Sequence, residues 1–236
     1  MSASSTPSAN ATSIENHADD KPLRYIIQNL ERAYGVPHNE RASDPLDMLI
    51  AIILSQATSD TNSHRTFAAL KKRFPMWGKA LRARTETIAD TIRAGGLANQ
   101  KAAVIKDLLR QLKDEHGTLD LKFLHDLDAV EAVNYLSQFR GIGPKTIACT
   151  LLFACRKDVF PLDTHIFRIL RRVGLIPQKC TDARAHQIMD GIVPRGKFYS
   201  LHVNLVRHGR TLCRPRDPLC EKCPIVEYCD YGQSLI

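Results

Sequence analysis

The sequence predicts an all-α protein. Two observations carry this: apolar residues return at i, i+3, i+4 and i+7 along most of the 236 residues, and the strict alternation of a half-buried strand is scarce. A third is punctuation, since Pro and capping residues open the periodic stretches and Gly closes them. Leu23, Ile26, Ile27 and Leu30 form the first apolar stripe, closed by Gly35-Val36-Pro37. Asp44-Pro45 reads as an N-cap with Pro in the first turn. The run 48–54 that follows is apolar on all sides, which predicts a central, buried helix. Val104, Ile105, Leu108, Leu109 and Leu112 mark a helix that stops near Gly117. Pro144 opens one marked by Ile147, Ala148, Leu151, Leu152 and Cys155. Ile166, Ile169, Leu170 and Val173 mark another, closed by Gly174. The pattern amounts to about ten helices, with no fixed repeat and no long linker. Residues 1–20, rich in Ser, Ala and Asn, are expected to form a disordered tail.

Composition narrows the function classes. Hydrophobic residues make up 44%, and the length suffices for one large domain or two small ones. No apolar run reaches the length of a membrane helix. The start has neither a basic region nor an apolar stretch, and it carries Glu15, Asp19 and Asp20, which excludes a signal peptide and argues against a transit peptide. A cytoplasmic, reducing setting is the expectation. Net charge is +8 and the pI about 9.2. Cations thicken in the second half at Arg140, Lys145, Arg156, Lys157, Arg168, Arg171 and Arg172. Such an excess favours a polyanionic partner, most commonly nucleic acid.

Cys213, Cys220, Cys223 and Cys229 fall in the order C-x6-C-x2-C-x5-C. So short a stretch cannot bury four thiols in a core of its own, and its purpose is to wrap one inorganic centre. Four thiolates suit either a [4Fe-4S] cluster or a structural zinc. Zinc sites more often pair two C-x2-C units, and this run has one. A disulfide pair would need an oxidising compartment that nothing in the chain indicates. Cys149, Cys155 and Cys180 read as buried or incidental thiols.

The segment from Phe139 to Ala148 carries Gly141-Ile142-Gly143-Pro144-Lys145-Thr146 between two helical stretches. Glycines one residue apart allow a tight hairpin with bare amides. Those amides, with the following helix N-terminus, make an anion site suited to a DNA phosphate. Lys145 falls at about the second position of the new helix. The partial positive charge of that helix end disfavours an ammonium there, the condition under which a lysine becomes a nucleophile. Asp163, in Leu162-Asp163-Thr164-His165-Ile166-Phe167-Arg168, precedes a helix and reads as an N-cap. A carboxylate there could also stabilise positive charge at a sugar or move protons to and from Lys145. His165 reads as a packing or hydrogen-bonding histidine.

These motifs, followed by H-G-R-x-x-C at the head of the cysteine run, resemble the endonuclease III family of helix-hairpin-helix DNA glycosylases over about 22–231. The resemblance implies the helix-hairpin-helix DNA glycosylase fold. Its six-helix barrel domain would span 41–152, its [4Fe-4S] cluster domain would combine 21–40 with 153–236, and DNA would bind in the cleft between them. It implies base-excision repair of oxidised pyrimidines, of the thymine glycol type, with an AP lyase step through a lysine Schiff base. The partner would be double-stranded DNA containing damaged bases or abasic sites, bound by a monomer. By position, Lys145 matches the Schiff-base lysine, Asp163 the catalytic aspartate, and Cys213, Cys220, Cys223 and Cys229 the [4Fe-4S] ligands. Gly141 and Gly143 match the phosphate-gripping turn, flanked by Arg140 and Thr146 as further DNA contacts. Gln56 lies in a loop similar to the one that fills the hole left by a flipped base, and Leu97 in one similar to the wedge loop. Arg214, Arg216 and Lys222 would face backbone phosphate from the cysteine loop. The chain departs from the family pattern at Ala57, the usual plug position in an ungapped match, and at Ala98, Arg140 and Ile147. Two readings compete: a monofunctional glycosylase, against which Lys145 argues, and a damage-binding module with little catalysis.

Overall fold

The computed structural model describes residues 21–39 and 43–236, so the tail expected at 1–20 lies outside the described residues. Within them the chain is helical, with no strand. The helices are α1 (Lys21–Tyr34), α2 (Pro45–Ser55), α3 (Asp60–Arg73), α4 (Trp77–Arg82), α5 (Thr85–Thr91), α6 (Ala98–His116), α7 (Ala129–Ser137), α8 (Pro144–Phe153), α9 (Thr164–Arg172), α10 (Asp182–Ile192), α11 (Phe198–Thr211) and α12 (Asp230–Gln233). They exceed the expected ten because α4, α5 and α12, at six, seven and four residues, are too short for a period to register. One boundary is corrected: α8 ends at Phe153, so Cys155 lies in the turn beyond it.

The caps are those the side chains dictate. Asp44 accepts from the amides of Leu46 and Asp47 and opens α2. Asp128 and Glu131 form a reciprocal capping box on α7. Asp163 Oδ1 accepts from the Ile166 amide at 2.7 Å and opens α9.

Two apolar cores result. The first is built on α2, whose Leu46, Leu49, Ile50, Ile53 and Leu54 are buried against α3, α6 and α8. The second gathers Leu23, Ile26, Ile27 and Leu30 of α1 with Ile166, Ile169 and Leu170 of α9 and Leu201 and Leu205 of α11. Burial of that stripe carries α1 across the chain to α11, where Glu31 also binds Lys197 at 2.9 Å and Ser200 at 2.8 Å. The cores meet at α8: Ala148 and Leu151 face the first and Leu152 the second, while Ala154 and Val159 return to the first. Helix α8 packs on α2 and α7 on one side and on α11 on the other, so its N-terminus opens where the two cores adjoin.

Candidate functional site

Helices α7 and α8 are joined by a tight turn. Gly141 has φ +83°, and a Cβ there would lie 2.6 Å from a methyl of Val104. The fold itself therefore requires this glycine. Gly143 is different: it is the N-cap of α8 at φ −89°, with open space where a Cβ would be. Nothing inside the protein requires glycine there, so what its missing side chain leaves free is approach from outside. Neither Gly143 nor Pro144 supplies a side-chain cap, and the first amides of α8 keep no partner of that kind.

Lys145 is exposed on the first turn of α8, and Asp163 is half-buried at the head of α9. Two buried groups register both charges. Burial pushes the Cys149 thiol up to about 12, with Lys145 pulling it down and Asp163 pushing it further up. Burial pulls the His202 imidazole down to about 4, where the Pro161 carbonyl and Asp163 raise it and Lys145 lowers it. Cys149 and His202 are thus the buried groups on which both the amine and the carboxylate act. His202 Nδ1 lies 3.1 Å from the Pro161 carbonyl. Asp190 accepts from the Phe160 amide at 2.7 Å. The segment leading into Asp163 is therefore pinned at two points.

Two further turns carry predicted residues. Gln56 follows α2, and its Nε2 donates to Thr146 Oγ1 at 3.2 Å, one residue from Lys145. Ala57, at the usual plug position, is exposed with φ +51°, while the Gln56 side chain faces the lysine turn. Leu97 is 54% exposed with φ +49°, a large apolar side chain displayed on a left-handed turn. The turns lie close together, since a Cβ added on Gly96 would come within 3.8 Å of the Ala57 carbonyl oxygen.

Cys213, Cys220, Cys223 and Cys229 all line one small cavity of about 20 Å³. Burial, and then proximity to the other three, pushes the Cys223 thiol up to about 11, once a backbone hydrogen bond that lowers it is allowed for. Gly232 donates its amide to Cys229 Sγ at 3.2 Å, and a Cβ on it would come 3.0 Å from Val226. Arg172 reaches Cys213 Sγ at 3.2 Å. Arg214, Arg216 and Lys222 are exposed on the loop, as is Arg140 beside the hairpin.

The family model of the HhH-GPD superfamily of base excision DNA repair proteins matches residues 50–195. This chain belongs to that superfamily. Endonuclease III of Sulfolobus acidocaldarius is 33% identical over 185 residues, 78% of this chain and 80% of the relative, which sets the chain in the endonuclease III family. A candidate DNA glycosylase of Arabidopsis thaliana is 36% identical over 194 residues, 78% of this chain but 66% of that relative's length. Among solved structures, a trapped endonuclease III–DNA covalent intermediate superposes with a TM-score of 0.78 at 21% identity, over 91% of this chain and 97% of that one, a likeness of fold.

Against this endonuclease III frame, sequence reasoning missed some residues and misplaced others. Lys101 is 2% exposed, and its Nζ donates to the carbonyls of Leu54 and Gly95, both at 2.8 Å. Its spacing with Ile105, Leu108 and Leu112 on α6 was the available signal, masked by its polar neighbours Asn99 and Gln100. Arg168 and Arg172, counted above as basic surface, turn into the cysteine loop. Arg168 donates to the carbonyls of Gly209 and Cys213, and Arg172 to those of Arg214 and Pro215. His165 bonds Arg168 at 3.1 Å.

Proposed function

We propose that this chain is a bifunctional DNA glycosylase and AP lyase that removes oxidised pyrimidines from duplex DNA. The observation that carries the reading is Lys145, exposed on the first turn of α8 just behind the uncapped hairpin, with Asp163 at the head of α9. The amine of Lys145 attacks the sugar C1′. The N-glycosidic bond breaks, and its electron pair leaves with the base, which takes up a proton. Ring opening leaves an iminium between Lys145 and C1′. Loss of a C2′ proton then expels the 3′-phosphate by β-elimination, and water frees the lysine. Asp163 receives the proton that the attacking nitrogen gives up and stabilises positive charge developing at C1′.

The other residues hold the DNA. The bare turn at Gly141 and Gly143, with Arg140, takes a backbone phosphate, whereas Thr146, expected beside them, is buried and turned to Gln56 instead. Arg214, Arg216 and Lys222 take further phosphates. Leu97 wedges the stack and Gln56 fills the gap, offsetting part of the few kcal/mol that extruding a base costs.

The four cysteines fit a [4Fe-4S] centre. Their thiols line one cavity. Cys213, Cys220, Cys223 and Cys229 would hold the cluster as thiolates and so staple their loop; hydrolysis and β-elimination would need no electrons from it.

Borohydride trapping tests the reading, with a duplex carrying one thymine glycol, a duplex carrying one abasic site, and Lys145→Ala beside the wild type. The expected result is a covalent band on both duplexes that the variant lacks. A band on the abasic duplex alone reduces the assignment to an AP lyase. Tight binding without a band on either replaces it by a damage-binding module.

A further inference from the structure

We propose that Lys101 is a positioning residue that locks the Gln56 turn and the Leu97 turn into one inserting unit; this rests on the reading that both turns enter the duplex. Its ammonium sits between two chain ends that have nothing else in common. Leu54 belongs to the last turn of α2, where backbone carbonyls lack a helical partner and the helix end is negative. Gly95 closes the 3-10 turn Arg93–Gly95 that delivers Leu97. A single buried cation bonds both carbonyls at 2.8 Å. Lys101 also donates its own amide to the Leu97 carbonyl at 2.9 Å, so the wedge is fastened to the same residue.

The linkage extends to the nucleophile. From Leu97 it runs through Lys101 to Leu54, two residues before Gln56, and from Gln56 to Thr146, which follows Lys145. A wedge that shifts on meeting DNA therefore shifts the gap-filling turn with it, and that turn leans on the helix that bears Lys145. Without the ammonium neither carbonyl would keep that shared charged donor. A lysine whose role were only to fill space in the α6 core would not need its charge on two loop carbonyls, and methionine of similar length would serve.

The test compares single-turnover β-elimination on an abasic site in a duplex and in a single strand, which has no partner strand to wedge apart. Lys101→Met, Leu97→Ala and the wild type run side by side, with 2-aminopurine opposite the lesion to report insertion. The expected result is that Lys101→Met lowers the duplex-to-single-strand rate ratio at least tenfold and loses the 2-aminopurine rise, as Leu97→Ala does. A ratio lowered by Leu97→Ala but not by Lys101→Met overturns the positioning role and leaves the function standing. A ratio lowered by neither overturns the inserting role of the turns and this inference with it. Lys101→Gln, which keeps a donor able to reach one carbonyl, replaces the methionine variant if that does not fold and is judged by the same ratio.

Discussion

Asp163 holds two jobs that one substitution cannot separate and two can. Its Oδ1 caps α9 at 2.7 Å from the Ile166 amide, and its charge acts on the same buried Cys149 thiol as that of Lys145. Asparagine caps a helix as well as aspartate but brings no charge. Asp163→Asn is therefore expected to keep the melting temperature while single-turnover excision falls by about 100-fold or more, the scale of a lost acid–base group. Asp163→Ala should lose both, with about 1 kcal/mol of stability gone with the cap. Thermal melts beside single-turnover rates check this, and equal melting of the two variants would deny the cap its share. The glycines of the hairpin divide in the same way. Gly141 answers to Val104 and to its own φ, Gly143 to nothing inside the molecule. A G-x-G spacing read from sequence cannot assign these roles, because the difference lies in a neighbour 37 positions away on α6.

Among the elements, α9 ties the two functional regions together. Its N-cap is Asp163, and its last turn carries Arg172 against the cysteine loop. Arg172 also stacks on Tyr231 with its guanidinium 4.3 Å from the ring centroid. Gly209 allows the close approach: a Cβ there would sit 2.7 Å from His165 Cβ, so α11 lies directly on α9. Arg172→Leu keeps the bulk and removes three hydrogen bonds to the loop. The expected outcome is a cluster lost several-fold faster under mild oxidation, read as decay of its visible absorbance, with far-ultraviolet helicity unchanged. Decay at the wild-type rate would mean that the cysteines alone hold the loop. The sequence marks α9 by its apolar period and its cap, yet its arginines read as solvated because nothing local says that carbonyls 40 or more positions on will meet them.

For the molecule as a whole, a net charge of +8 predicts a polyanion partner but overstates the cations that meet it. Lys101 and Arg168 bond backbone carbonyls inside the fold, and Lys106 bonds those of Ala80, Leu81 and Ala83 at the end of α4. Arg214, Arg216 and Lys222 remain exposed on one loop. Each phosphate contact contributes about −0.9 to the slope of log affinity against log salt. Lys222→Ala should then reduce that slope by about one, whereas Lys106→Ala should leave it unchanged and lower stability instead. Equal slopes for the two variants would show that the cysteine loop faces away from the DNA. Binding titrations at several salt concentrations decide it.

The all-α class, the main helices with their caps and the hairpin are legible in the chain because each depends on neighbours within one or two turns. Periodicity and a capping side chain are local properties, and local chemistry survives without a fold. What the tertiary structure decided is which charges face outward, which glycine the packing requires and which it does not, and that a lysine on the buried face of α6 binds two turns that chain order keeps 41 positions apart, from Leu54 to Gly95. Those assignments depend on contacts between distant segments. Such contacts arise only when apolar burial has set the helices against one another, and the polar groups caught at their ends must then find partners wherever the packing leaves them.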